Sequence, residues 1–167
     1  MAAITHEADS ALATVWRLLD AVHDPEIPPL SIADLGVLRE VHVNDAEVTV
    51  VITPTYMGCP AMHVIAEDVR AVLNRAGYLQ VVIETRLAPA WTTAWISAAG
   101  HAQLLAAGIA PPADVSAPGA TMPGRPRACP LCSSTETELI SEFGSTACKA
   151  LYRCRSCLEP FDYFKCL

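Results

Sequence analysis

The sequence predicts an α+β fold, a small sheet covered by helices, followed by a small cysteine-rich ribbon. Three observations carry this. Apolar residues at helical spacing stand on both sides of an alternating hairpin, a proline-rich stretch interrupts the chain near residue 111, and beyond it four cysteines form two Cys-x-x-Cys pairs.

From Asp9 to His23 the apolar residues Leu12, Val15, Trp16, Leu19 and Val22 repeat at three and four, the stripe of an amphipathic helix with Asp9 or Ser10 as its cap. Asp24-Pro25-Glu26-Ile27-Pro28-Pro29 ends it, because residues ahead of proline leave the helical region, and a stiff acidic loop is expected. Ser31 to Gly36 reads as a turn, with Asp34 as a local cap. Val37, Leu38, Val41 and Val43 then form a strand that turns at Asn44-Asp45 into a partner carrying Val48, Val50 and Ile52. A second helix runs from Pro60 to about Ala76, with Val64, Ile65, Val69, Val72 and Leu73 on its apolar face and Gly77 as C-cap. A third strand spans Gln80 to Leu87, and Trp91 to Ala107 reads as two short helical pieces interrupted at Gly100. A hairpin followed by helix and strand buries its apolar face by laying the helices on one side of the sheet.

Pro111 to Pro126 holds five prolines and two glycines among small residues, a composition that buries too little surface to offset the entropy of ordering. The expected organisation is therefore a domain over 1–108, a linker over 109–127 and a module over 128–167. Charge supports the boundary: residues 1–112 hold five Arg or Lys against twelve Asp or Glu, and residues 129–167 hold four against five. A net charge of −7 and the absence of any basic cluster argue against nucleic acid and anionic membrane as partners. No signal-like or spanning apolar run occurs, so a soluble, cytoplasmic protein is expected.

The stretch Thr53 to His63 ends a strand, turns at Gly58 and delivers Cys59 to a helix start. Pro is favoured at the first helical position, which makes Cys59 the N-cap, and a helix N-terminus favours thiolate over thiol. His63 falls one turn along the same face. The plainer reading is a half-buried, inert cysteine in a tight turn. Asp24 and Glu26, two apart on the proline loop, can serve as acid and base or as hard metal ligands, against a plain role in capping and solvation.

Cys129-Pro130-Leu131-Cys132 and Cys154-Arg155-Ser156-Cys157 are knuckles separated by 21 residues, with the chain between them able to form a hairpin. No histidine follows His101, so the ligand set is cysteine only. That set suits zinc and also a rubredoxin-like iron centre; zinc is favoured because structural four-cysteine sites are mostly zinc. In so small a module metal binding supplies the folding energy. Cys148 and Cys166 are left over and read as packing or surface thiols.

Asp24-Pro25-Glu26, Ser31-Ile32-Ala33-Asp34-Leu35-Gly36, Thr53 through Cys59-Pro60, and Trp91 together resemble the SufT-like iron-sulfur assembly domain over about residues 10–105. The ribbon's Phe143-Gly144-Ser145-Thr146, Cys148 to Cys154, and Glu159-Pro160-Phe161-Asp162-Tyr163-Phe164-Lys165-Cys166 resemble the family of D subunits of bacterial phenylacetyl-CoA epoxidases, ring-epoxidising monooxygenase systems. That resemblance implies an accessory, non-catalytic subunit in phenylacetate degradation. By the family's motifs Cys59, with Asp24 and Glu26, would handle a transient iron or iron-sulfur cluster; His63 matches nothing in them and rests on helix geometry. The implied partners are the oxygenase and reductase subunits. One protein thiolate cannot satisfy a cluster, so a homodimer or a partner's ligands would be needed. A structural adaptor that docks oxygenase and reductase without metal delivery is the alternative. A cysteine enzyme acting on an acyl-CoA thioester is weakest, for no triad or phosphate-cradling loop accompanies Cys59.

Overall fold

The structure, a computed structural model, describes residues 3–44, 47–112 and 126–165, with side chains from Ser10 onward. The chain divides into two compact units, Met1–Trp91 and Thr92–Leu167.

In the first unit, helix α1 (Ala3–Leu19) leads into a two-stranded ribbon of β1 (His23–Asp24) and β2 (Ile27–Ser31), then the hairpin of β3 (Leu38–Asn44) and β4 (Glu47–Ile52), helix α2 (Ala61–Arg75) and β5 (Gln80–Thr85). The sheet order is β3-β4-β5, antiparallel across the hairpin and parallel from β4 to β5, so α2 is the crossover between parallel neighbours. Both helices contact the sheet, α1 at β3 and α2 at β5, over a core of fully buried Val15, Leu19, Val48, Val50, Ile65, Val69 and Leu73. Helix α2 ends as the sequence predicts. Gly77 has φ +97°, and Tyr78 N–H returns to the Leu73 carbonyl at 3.1 Å, a closure that a β-carbon would strain.

Helix α1 differs at both ends from the expectation. It begins at Ala3, ahead of the expected caps, so Ser10 lies inside it, and it stops at Leu19, beyond which the Val22 carbonyl accepts Ile32 N–H (3.0 Å) just past β2. The proline loop is not simply a loop either: Asp24 pairs with Ile27 and His23 with Ser31.

The second unit opens with a 3-10 turn (Thr93–Trp95) and α3 (Ala98–Ala106), capped by Thr92 and Ser97 side chains. Gly100 is buried inside α3, and the break between the two pieces falls at Ile96-Ser97 instead. Beyond lie β6 (Thr137–Ser141), β7 (Lys149–Cys154) and β8 (Pro160–Phe164), an antiparallel sheet in that order. The hairpin expected between the knuckles is β6–β7; β8 is an additional strand.

The unit boundary after Trp91 differs from the expected 108. Ala110, 1 % exposed, donates to the Asp162 carbonyl (2.8 Å) and accepts from Phe164 N–H (2.9 Å), so the first residues of the expected linker pack on β8. Residues 113–125 of it lie outside the described residues. Sequence alone expects proteolysis there to release an N-terminal domain. The Ala110 bonds change that outcome: the nicked chain should elute as one species on native gel filtration and separate only after metal removal. Separation with metal still bound would show that Ala110 does not hold the halves.

Candidate functional site

Cys59 follows a tight turn in which its N–H bonds the Tyr56 carbonyl (3.3 Å) with Gly58 at φ +82°. Pro60, with φ −68° and ψ −24°, is the residue flanking α2, and the Cys59 carbonyl accepts Met62 N–H at 3.3 Å. Cys59 thus stands one residue ahead of the cap, half-buried. Trp91 donates its indole N–H to the Leu35 carbonyl (3.1 Å), on the Ser31–Gly36 turn that Ser31 and Asp34 tie with mutual bonds of 3.0 and 3.1 Å.

The structure brings Asp24 and Glu26 into the electrostatic neighbourhood of Cys59, and both oppose its ionisation. Burial pushes the thiol above its ordinary value first of all. Ala61 N–H and the Tyr56 hydroxyl pull the other way, and the Glu26 and Asp24 charges add to the rise. The expectation of a thiolate favoured by the helix end is therefore corrected: one backbone donor and one hydroxyl do not outweigh desolvation beside two anions. Tyr56 contributes from the same turn, and no spacing in the sequence marks it out.

Asp24 is 7 % exposed and its Oδ1 accepts Glu26 N–H (2.8 Å) and Ile27 N–H (3.0 Å), which fixes the proline loop. His63 is not drawn toward Cys59. Its side chain is exposed and its Nε2 stands 3.4 Å from Glu67, one turn further along α2. Cys59, Asp24 and Glu26 do not converge as a three-ligand centre; among the described residues the group of three or more such side chains gathered tightly enough to hold a metal is Cys129, Cys132, Cys154 and Cys157.

With a raised pKa, Cys59 carries less thiolate at neutral pH than a free cysteine, so it should alkylate more slowly, with the rate climbing only at higher pH. Glu26→Gln removes a charge that opposes the thiolate and should speed the reaction. Iodoacetamide rates against pH measure both; a rate above that of a free cysteine at pH 7 would reverse the sign.

The second constellation is the metal end of the ribbon. All four sulfurs lie within 4.8 Å of one another, with Cys129 to Cys157 at 3.8 Å and Cys132 to Cys154 at 3.5 Å. Four thiolates about 2.3 Å from a tetrahedral ion stand about 3.8 Å apart, so the set fits a metal. The knuckles are pseudo-equivalent. Cys129 N–H bonds the Ser134 carbonyl (2.8 Å) and Cys154 N–H bonds the Glu159 carbonyl (3.0 Å), while Ser133 (φ 63°) and Leu158 (φ 68°) both adopt left-handed backbone. Backbone N–H groups point at sulfur, Leu131 to Cys129 (3.4 Å) and Ser156 to Cys154 (3.3 Å), as anionic ligands require. The Cys157 and Ser156 N–H groups hold the Cys154 thiol down at about 6 against the cost of burial. Cys157 is pushed up to about 12: Glu159 N–H favours its thiolate, but burial and bonds with Cys132, Cys154 and Cys129 prevail. Behind the sulfurs Tyr152 stacks on Phe161 at 6.1 Å and meets Tyr163 edge-on at 5.7 Å. Of the leftover thiols, Cys148 is buried with its Sγ 3.0 Å from the Thr146 hydroxyl, and Cys166 lies outside the described residues.

Comparison with known proteins agrees with both constellations. The family described as iron-sulfur cluster assembly protein matches residues 12–82, and the PaaD zinc beta ribbon domain matches residues 115–165. A protein of Escherichia coli (strain K12), assigned as the D subunit of 1,2-phenylacetyl-CoA epoxidase, is 48% identical over 153 residues, 92% of each chain. This chain belongs to the family of phenylacetyl-CoA epoxidase D subunits. Other relatives cover part of this chain. An Fe-S protein maturation auxiliary factor of Porphyromonas gingivalis (strain ATCC BAA-308 / W83) is 40% identical over 79 residues, 46% of this chain and 74% of that one. The crystal structure of a domain of unknown function, DUF59, from Bacillus anthracis shares the fold at TM-score 0.56 and 23% identity, covering 60% of this chain and 96% of that one. Membership of this family implies partner subunits and an accessory role in iron-sulfur maturation, and no helix among the described residues is long and apolar enough to cross a membrane.

Proposed function

We propose that this chain is a non-catalytic maturation factor of the phenylacetyl-CoA ring-epoxidising monooxygenase system, assisting the loading of its iron or iron-sulfur centres through Cys59, with zinc holding the ribbon. The observation that carries the reading is that the Glu26 and Asp24 charges reach Cys59 closely enough to oppose its ionisation. Two carboxylates that disfavour an anionic sulfur favour a cation next to it, so an arriving iron would displace the thiol proton. The thiol then stays protonated, and less open to oxidation, until metal arrives. Because the three groups do not form a closed site, the remaining ligands would come from the recipient subunit or a second copy, which suits a cargo held briefly. The relatives in iron-sulfur assembly support this reading by family alone.

The adaptor reading is favoured by one feature, the raised pKa of Cys59, which is what a plain turn cysteine would also show. Iron content of the oxygenase and reductase subunits co-produced with wild-type or Cys59→Ser chain decides between the two. Under-loading supports delivery, and full loading leaves only docking.

A further inference from the structure

The second unit holds a cavity of about 370 Å³ beside the first knuckle, a size within the roughly 300–1,000 Å³ of small-molecule sites. Buried Ala110, Pro112 and Cys129 form its floor, and Leu105, Pro111 and Pro130 line it nearer the surface. Arg127 is the only charged side chain among the lining residues, and it is exposed. Among the described residues no carboxylate pairs with its guanidinium and no hydrogen bond holds it.

An apolar cavity with one unpaired cation selects its occupant by charge and by shape. A neutral hydrocarbon would satisfy the walls and leave the guanidinium without an anion. A phosphate or a dicarboxylate would bring a second charge against proline and leucine, where nothing compensates its lost hydration. One carboxylate on an apolar body meets both demands, because the planar guanidinium pairs with a carboxylate through two parallel N–H bonds. Three prolines in the lining favour a flat ring over a flexible chain, since rigid pyrrolidine faces pack on aromatic surfaces and lose no rotamer freedom in doing so.

We propose that this cavity binds a small aromatic monocarboxylate, its ring against Pro111, Pro112 and Pro130 and its carboxylate paired with Arg127. The site is independent of the Cys59 reading, and the family enters only in the choice of phenylacetate as the probe acid. Ala110 is bonded to β8 and Cys129 opens the first knuckle, so an occupant touches both and holds them together.

The test titrates the zinc-loaded full chain with phenylacetate and with phenylacetamide, which keeps the ring and lacks the charge, following amide signals by NMR and the thermal midpoint. Phenylacetate should bind with a dissociation constant of about 1 mM or below, shift the signals of Leu105, Ala110 and Ala128, and raise the midpoint. Phenylacetamide should bind about tenfold more weakly. Arg127→Gln should weaken phenylacetate about tenfold, leave phenylacetamide unchanged and keep its metal, because Arg127 takes no part in the sulfur cluster. Equal binding of acid and amide would overturn the proposal, as would an Arg127→Gln chain that binds phenylacetate like the wild type. Saturable shifts confined to the first unit, or no saturable shift at all, would do the same. Contacts from residues 113–125 that fill the cavity in the ligand-free chain would overturn it by giving the cavity to the protein's own segment.

Discussion

Replacing Cys154 with serine is expected to unfold the ribbon while α1, α2 and the β3-β4-β5 sheet remain folded. The buried cluster behind the metal end is Ala110, Ala150, Tyr152, Phe161 and Tyr163 with two of the ligands themselves, Cys129 and Cys154. Structural zinc contributes on the order of 10 kcal/mol or more to such modules, comparable to the whole stability of an ordinary domain. Cys154 is the most consequential ligand: it is fully buried, ends β7 opposite Thr137, and takes N–H bonds from Ser156 (3.3 Å) and Cys157 (3.5 Å). Acid should do by protonation what the substitution does by deletion. The metal takes its cysteines as thiolates, and Cys157, pushed up by burial and its sulfur neighbours, gives up its proton least readily. Affinity therefore rises with pH and falls as pH is lowered. Metal content together with amide dispersion in an NMR spectrum reports both effects, and a Cys154→Ser chain that keeps folded ribbon signals without metal would refute the argument.

What was legible in the sequence is what repeats at short range. The alternation of Val41 and Val43 against Val48 and Val50 gave the β3–β4 hairpin, and the stripe through Ile65, Val69 and Leu73 gave α2 with its Gly77 stop. The spacing of the four cysteines named the metal end before any geometry. The β1–β2 ribbon was not legible, because Ile27-Pro28-Pro29-Leu30-Ser31 looks hostile to pairing. The paired positions are Ile27 and Ser31, so both prolines fall within the irregular register where no donor is needed. The role of Ala110 was hidden for a similar reason. A small residue beside Pro111 and Pro112 reads as linker until β8 supplies its bonding partners. At Cys59 the residue was legible and the sign of its chemistry was not. Its burial and the Glu26 and Asp24 charges come from elements distant in the chain, while the local helix end suggested the opposite.

Cys59→Ser should leave the fold nearly untouched and strip the chain of its effect on partners. Serine is almost the same size, can accept Ala61 N–H as the sulfur does, and adds no charge beside Asp24 and Glu26, so stability should change by no more than about 1 kcal/mol. The hydroxyl cannot replace the thiolate as a ligand for iron, because it keeps its proton where an iron-bound thiol loses one. Oxygenase or reductase co-produced with the variant should carry several-fold less iron, growth on phenylacetate should slow, and zinc in the ribbon should be unchanged because Cys129, Cys132, Cys154 and Cys157 form a site that Cys59 takes no part in. Glu26→Gln should reproduce part of the defect with Cys59 intact, since it weakens the attraction for a cation even as it eases ionisation of the thiol. That opposition separates cargo binding from plain thiol reactivity: if reactivity were what mattered, Glu26→Gln would raise loading. Iron measured in the purified partner subunits is the readout, and a Cys59→Ser chain that supports full loading would reduce Cys59 to a turn residue and leave docking as the function.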